Sequence, residues 1–163
     1  MRLKISGIVN DSIVDGPGLR LTVFAQGCLH NCPGCHNPET HDPAGGYYIG
    51  IDEIIDKARK NSLLSGITLS GGEPFMQVEA MSELAQAARA TGLNVIAYTG
   101  YTWEVLVANE DFMPLVRAAD YIVDGRFEID KRTLSMPFVG SSNQRIIDVK
   151  KSLEQGEVVI CEF

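Results

Sequence analysis

Four short runs govern what this chain can fold into, because each is too brief for a helix, rich in β-branched and aromatic residues, and closed by a turn. They are 19–25, 66–70, 93–98 and 121–123, and each predicts a strand. Between them, apolar residues recur at helical spacing. Ile51, Ile54, Ile55 and Ala58 predict a helix over 51–64 with Asp52 and Glu53 favouring its N-terminus. Val78, Met81, Leu84, Ala85 and Ala88 predict another over 77–91 that stops at Gly92. Trp103, Leu106, Phe112, Leu115 and Val116 mark a further helical region, which makes Met81 and Trp103 packing residues. Residues 1–14 alternate weakly, 128–144 read as loop, and 145–149 and 157–161 as late strands. Strands alternating with helices imply βα units, a parallel sheet and right-handed crossovers. An eightfold barrel needs about 250 residues, so this chain predicts a partial, open barrel.

The ends of the four runs carry the chemistry. The first passes into a cysteine-rich loop, the second into Gly71-Gly72-Glu73-Pro74, the third into Thr99-Gly100 and the fourth into Asp124-Gly125. In α/β proteins that edge is the active face. The cysteine loop, 27–38, spaces Cys28, Cys32 and Cys35 as C-x3-C-x2-C. Such spacing would share one helical face, but Pro33 and Gly34 break helices, and Cys32, preceding a proline, is driven to extended geometry. The loop therefore wraps something. Iron-sulfur clusters are held by cysteine thiolates, typically four, so three thiolates leave one iron open. Gly27 and Gly34 would let backbone N–H groups face the sulfides.

Other readings of the same loop stand beside this one. Zinc could take a Cys3His set completed by His30, His36 or His41, although structural zinc sites usually carry paired C-x2-C elements far apart. A disulfide framework is disfavoured by the core-forming remainder of the chain. Inert buried thiols are disfavoured by the polar and helix-breaking neighbours.

At 163 residues the chain suits one domain over 1–163, long enough to bury roughly 70% of its unfolded surface. The net charge of -7 and the pI of about 4.9 argue against a nucleic-acid surface, which needs clustered Lys and Arg. The first residues lack the apolar core of a signal peptide, and no apolar run reaches the ~18 residues of a membrane span, so a cytoplasmic protein with no membrane partner is expected. In that compartment reduced cysteines read as metal-binding or catalytic.

Gly71-Gly72-Glu73-Pro74 beside C-x3-C-x2-C resembles the radical S-adenosylmethionine superfamily. Asp15-Gly16-Pro17-Gly18, alone only a turn, is then similar to the entry signature of glycyl-radical activating enzymes. Cys32-Pro33-Gly34-Cys35, Tyr98-Thr99-Gly100-Tyr101, Val123-Asp124-Gly125-Arg126-Phe127 and Gly140-Ser141-Ser142-Asn143-Gln144-Arg145 resemble the activating proteins of anaerobic ribonucleoside-triphosphate reductases. The likeness spans roughly residues 7 to 149; Cys161 lies outside it and reads as a buried residue of an apolar strand.

The resemblance implies a radical SAM type α/β fold of about five to six mostly parallel strands, with the cluster loop at 27–38 and a C-terminal strand pair at about 145–163. It implies a 4Fe-4S cluster on Cys28, Cys32 and Cys35, with the amino and carboxylate groups of S-adenosyl-L-methionine on the open iron. Gly71 and Gly72 would admit the amino group and Glu73 would accept from it. Gly34, Cys35 and His36 would meet the adenine side. Thr99, Asp124 and Arg126 would lie near the methionine part, with Arg126 either on the carboxylate or in a structural salt bridge. His30 and His41 read as surface or local hydrogen-bonding residues, and no catalytic residue is implied beyond the cluster ligands.

The implied reaction begins with one electron from the reduced cluster, which splits the sulfonium to methionine and a 5'-deoxyadenosyl radical. That radical takes hydrogen from a glycine in the large catalytic subunit of an anaerobic ribonucleotide reductase. A reduced flavodoxin- or ferredoxin-like protein would supply the electron. Residues 128–145 and Asp15–Gly18 would flank the open rim and choose the partner. An activase of another glycyl-radical enzyme, such as pyruvate formate-lyase, and a non-catalytic zinc-binding module are the alternatives.

Overall fold

The computed structural model describes residues 1–35 and 37–161. Its strands are β1 (Arg2–Ser12), β2 (Arg20–Ala25), β3 (Tyr47–Gly50), β4 (Gly66–Gly71), β5 (Asn94–Tyr98), β6 (Tyr121–Asp124) and β7 (Arg145–Asp148). The helices are α1 (Ile51–Arg59), α2 (Val78–Ala90), α3 (Trp103–Val107), α4 (Met113–Ala118) and α5 (Val149–Gln155). All seven strands form one sheet in the order β3-β1-β2-β4-β5-β6-β7. The pairs β2–β4, β4–β5 and β5–β6 are parallel, while β1 and β7 run antiparallel to their neighbours. The four predicted runs are thus the parallel centre of a mixed α/β sheet, and their C-terminal ends share one edge.

Register explains the two faces. Leu21, Ile67 and Val95 are cross-strand partners, as are Val23, Leu69, Ala97 and Ile122, and these rows pack with the helices in one apolar core. Met81 and Trp103 belong to that core. The alternate residues make a polar layer on the opposite face. Arg20 is fully buried there and donates to Thr68 Oγ1 at 2.7 Å, Asn94 Oδ1 at 2.6 Å and the Ile67 carbonyl at 2.8 Å. Five donors on one guanidinium let it satisfy several carbonyls where no ammonium could. Asp15–Gly18 folds over this layer. Thr68 Oγ1 donates to the Asp15 carbonyl at 2.8 Å, Thr22 to its carboxylate at 3.2 Å, and a Cβ on Gly16 would fall 2.6 Å from Ile96.

Three expectations need correction. Helix α1 ends at Arg59, not 64, because Asn61 diverts the chain: its side chain accepts from Leu63 N at 3.0 Å and its carbonyl from Leu64 N at 3.3 Å. The strand β3 was not expected, and with it the sheet has seven strands rather than five or six. The C-terminal strand pair is reduced to β7 and a single bridge, Ile147 to Ile160, with α5 between them. Asp148 caps α5 by accepting from Lys151 N at 3.0 Å, and Gly156 ends it in the left-handed conformation. Cys161 is accordingly half-buried, its N–H donating to Ile146.

Candidate functional site

The cysteine loop leaves the end of β2 and is tied at both legs. Gln26, 4% exposed, donates to the carbonyls of Asp42 at 2.7 Å and Glu39 at 3.1 Å. Gly27 N donates to Thr40 at 2.6 Å and Cys28 N to His41 at 3.1 Å. The Gly27 amide is therefore committed to a carbonyl and does not point at a sulfide, as the sequence reading had it. Cys28, Cys32 and Cys35 are free, half-buried thiols. Cys35 Sγ accepts from Asn37 N at 3.4 Å and lies 3.3 Å from His41 Nε2, so His41 is a local hydrogen-bonding residue. Burial pushes the Cys28 thiol up, against the opposing pull of the His30 backbone.

All three cysteines line a cavity of about 320 Å3, together with Gly71, Gly72, Thr99 and Gly125 from the ends of β4, β5 and β6. The glycines at the end of β4 answer first to the neighbouring strand. Gly71 has φ +90°, and a Cβ there would lie 2.5 Å from Ala25 N; one on Gly72 would lie 2.3 Å from the Gly27 carbonyl. Gly72 N and Glu73 N instead donate to Ala25 at 2.8 Å and Gly27 at 2.7 Å, stitching the β4 turn to the cysteine loop.

Glu73 is 1% exposed and does not itself line this cavity. Its Oε1 accepts from Thr99 Oγ1 and Gly100 N at 2.8 Å each and from His30 Nε2 at 2.5 Å, and its Oε2 accepts from Phe75 N at 3.0 Å. The carboxylate thus joins the cysteine loop, the β4 turn and the end of β5. Asp124, also 1% exposed, accepts from Trp103 N at 2.8 Å and from Arg145 at 2.5 and 3.1 Å. Arg126 donates to the His30 carbonyl. Asp124 and Arg126 line a larger neighbouring cavity of about 1060 Å3, which shares His30, Cys32, Gly100, Gly125 and Phe127 with the first. Gly34, with φ +74°, packs against Ile129, whose Cδ1 would be 2.7 Å from an added Cβ. His36 lies outside the described residues.

Sequence reasoning missed three residues. His30 reaches Glu73 and is 13% exposed, Arg145 pairs with Asp124, and Gln144 clamps the loop after β6. The Gln144 side chain accepts from Gly140 N at 2.8 Å and Ser141 N at 3.2 Å and donates to the Gly125 carbonyl at 3.0 Å. This accounts for much of the Gly140–Gln144 stretch.

The donor set fits an iron-sulfur cluster. Three thiols line one cavity. Donors to one ion must meet at a point; cluster thiolates each take a separate iron.

Fold and site together define a cluster-binding α/β protein, and comparison with known proteins agrees. Residues 14–147 match the 4Fe-4S single cluster domain family. Over 140 residues the chain is 37% identical to the anaerobic ribonucleoside-triphosphate reductase-activating protein of Escherichia coli K12, covering 81% of this chain and 90% of that one. The protein of that name from Enterobacteria phage T4 is 32% identical over 139 residues, 82% and 86% of the two chains. The pyruvate formate-lyase-activating enzyme of Listeria monocytogenes serovar 1/2a is 35% identical over 96 residues, 56% of this chain and 39% of that one. The chain belongs to the 4Fe-4S single cluster domain family, within it to the group of anaerobic ribonucleoside-triphosphate reductase-activating proteins.

Proposed function

We propose that this chain is a radical S-adenosylmethionine enzyme that installs the glycyl radical of an anaerobic ribonucleoside-triphosphate reductase. The observation that carries this reading is the single cavity bordered by Cys28, Cys32, Cys35, Gly71 and Gly72 at the ends of parallel strands. The curated reductase-activating relatives support the choice of partner, since this chain covers 90% of the Escherichia coli protein but 39% of the pyruvate formate-lyase-activating enzyme. In this reading the sheet is a partial, open barrel and 1–163 is one domain, acting in the cytoplasm on the reductase's large catalytic subunit. A reduced flavodoxin- or ferredoxin-like protein is its electron donor.

When bound, the 4Fe-4S cluster and S-adenosylmethionine supply reductive cleavage to a 5'-deoxyadenosyl radical that removes a glycine hydrogen. The chain's own residues prepare that chemistry. Cys28, Cys32 and Cys35 ligate as thiolates, so cluster binding removes the proton that burial favours on Cys28. Gly71 and Gly72, which line the cavity, would present bare backbone to the cofactor's amino group, and buried Glu73 would supply negative charge behind that turn. By the family resemblance, Gly34, Cys35 and His36 would meet its adenine side. Thr99, which lines the cavity, would lie near its methionine part. Asp124, already satisfied by Arg145 and Trp103, holds the turn that presents Arg126 toward a carboxylate.

Electron paramagnetic resonance of anaerobically reconstituted, reduced protein, with and without S-adenosylmethionine, tests the reading. The expected result is a cluster signal that changes on addition, 5'-deoxyadenosine in the same samples, and a glycyl radical on the reductase subunit but not on pyruvate formate-lyase. Bound zinc without iron or sulfide would overturn it.

A further inference from the structure

We infer that His30 is a positioning residue that latches the cysteine loop to the ends of β4 and β5 through Glu73; the inference rests on the cluster reading above. His30 sits between two of the three thiols and is gripped on every side. Its Nε2 donates to Glu73 Oε1 at 2.5 Å, in the tautomer that the carboxylate selects. Its carbonyl accepts from Arg126 at the end of β6. Its ring meets Tyr101 edge-on, with centroids 4.7 Å apart. Gly100 makes room for it, since a Cβ there would stand 2.5 Å from His30 Cδ2.

The next residue, Asn31, takes φ +51°, a left-handed conformation that asparagine tolerates better than most side chains. On either side of that bend, His30 and Cys32 line the same two cavities. The single Glu73 oxygen that receives His30 also receives Thr99 Oγ1 and Gly100 N, so a shift of the loop is felt at the ends of both strands. A histidine that only filled space would need no acceptor, and a carboxylate this buried needs its donors. The latch places Cys28 and Cys32 relative to the Gly71-Gly72 turn, and hence the open iron relative to the cofactor's amino group.

The test compares His30→Gln, which keeps an N–H donor, with His30→Met, which is similar in length and volume and has none. Each reconstituted protein is assayed for iron content, for S-adenosylmethionine binding by equilibrium dialysis, and for the change in its paramagnetic spectrum on cofactor addition. His30→Met is expected to bind the cofactor about 10- to 100-fold more weakly, as loss of an orienting hydrogen bond near a metal site typically does, with a smaller spectral change. His30→Gln is expected to restore both. If the two variants behave alike, whether both intact or both impaired, the latch is wrong while the activase reading stands. If the unaltered protein forms no cluster, the activase reading fails and the latch with it.

Discussion

Asp124 on β6 and Arg145 on β7 are partners across an antiparallel rung, and their side chains meet at 2.5 and 3.1 Å through two nitrogens of one guanidinium. The same guanidinium reaches Glu104 on α3 at 2.7 Å. The bond to Asp124, ahead of that to Glu104, holds Arg145 well above its ordinary pKa. The pair therefore fixes the last parallel strand to α3 and to the sheet edge, with the Asp124 carboxylate fully engaged.

Replacing Arg145 by Met would leave a carboxylate that is 1% exposed with the Trp103 N–H as its remaining described donor. Stability is expected to fall by about 3 kcal/mol, the cost of stranding a buried charge. Arg145→Lys should fall less, keeping the charge but not the fork. Urea unfolding midpoints measure both, and an unmoved midpoint in Arg145→Met would reject the pair as a fastening.

Two glycine substitutions separate conformational strain from collision. Gly92 has φ +91° and open space around a Cβ, so Gly92→Ala should cost about 1 kcal/mol and leave cluster content unchanged. A Cβ on Gly72 would lie 2.3 Å from the Gly27 carbonyl and 3.0 Å from that of Ala25. Gly72→Ala must push the cysteine loop away, with reduced iron per chain after reconstitution. Equal iron in the two variants would contradict this.

Tyr98 supplies a pH dependence. Its hydroxyl donates to the Phe138 carbonyl at 2.7 Å, and burial, reinforced by Asp15, pushes its pKa above the ordinary value. A raised folded pKa contributes stability that is present below the unfolded pKa of about 10 and is lost as pH rises from there toward the folded value. Unfolding midpoints at about pH 8 and about pH 11 should therefore drop more for the unaltered protein than for Tyr98→Phe. Identical drops would remove Tyr98 from the account.

The cap of α5 is testable at a distance from the site. Asp148→Ala should cost about 1 kcal/mol through the lost bond to Lys151 N, with cofactor affinity unchanged. Circular dichroism melting and equilibrium dialysis read the two halves of that expectation.

What could be read in the sequence followed from local rules. β-Branched runs closed by glycine turns became the four parallel strands, and the helical stripes of α1 and α2 became core faces. Strand β3 escaped because its four residues, Tyr47–Gly50, sit among glycines and gain their order from β1 rather than from propensity. Helix α5 escaped because its buried face is thin, Val149 and Ser152. The site divides the same way. The cysteines were visible as spacing, but the His30–Glu73 contact joins residues 43 apart and Asp124–Arg145 residues 21 apart. No periodicity encodes such pairs; they exist only once the strand ends are side by side. Glu73 was legible as an acid at a strand end, but not as one whose two oxygens are already engaged by four donors.

The bonds from Gly72 N and Glu73 N to Ala25 and Gly27 have a consequence for biogenesis. The cysteine loop closes its own legs through residues 39–42, yet its ties to the β4 turn need residues 72 and 73, with β4 docked beside β2. A ribosome-bound chain that has exposed all three thiols but not yet β4 lacks both of these bonds. Pairing of β4 with β2 and fastening of the cysteine loop to the glycine turn are therefore one folding event, not two.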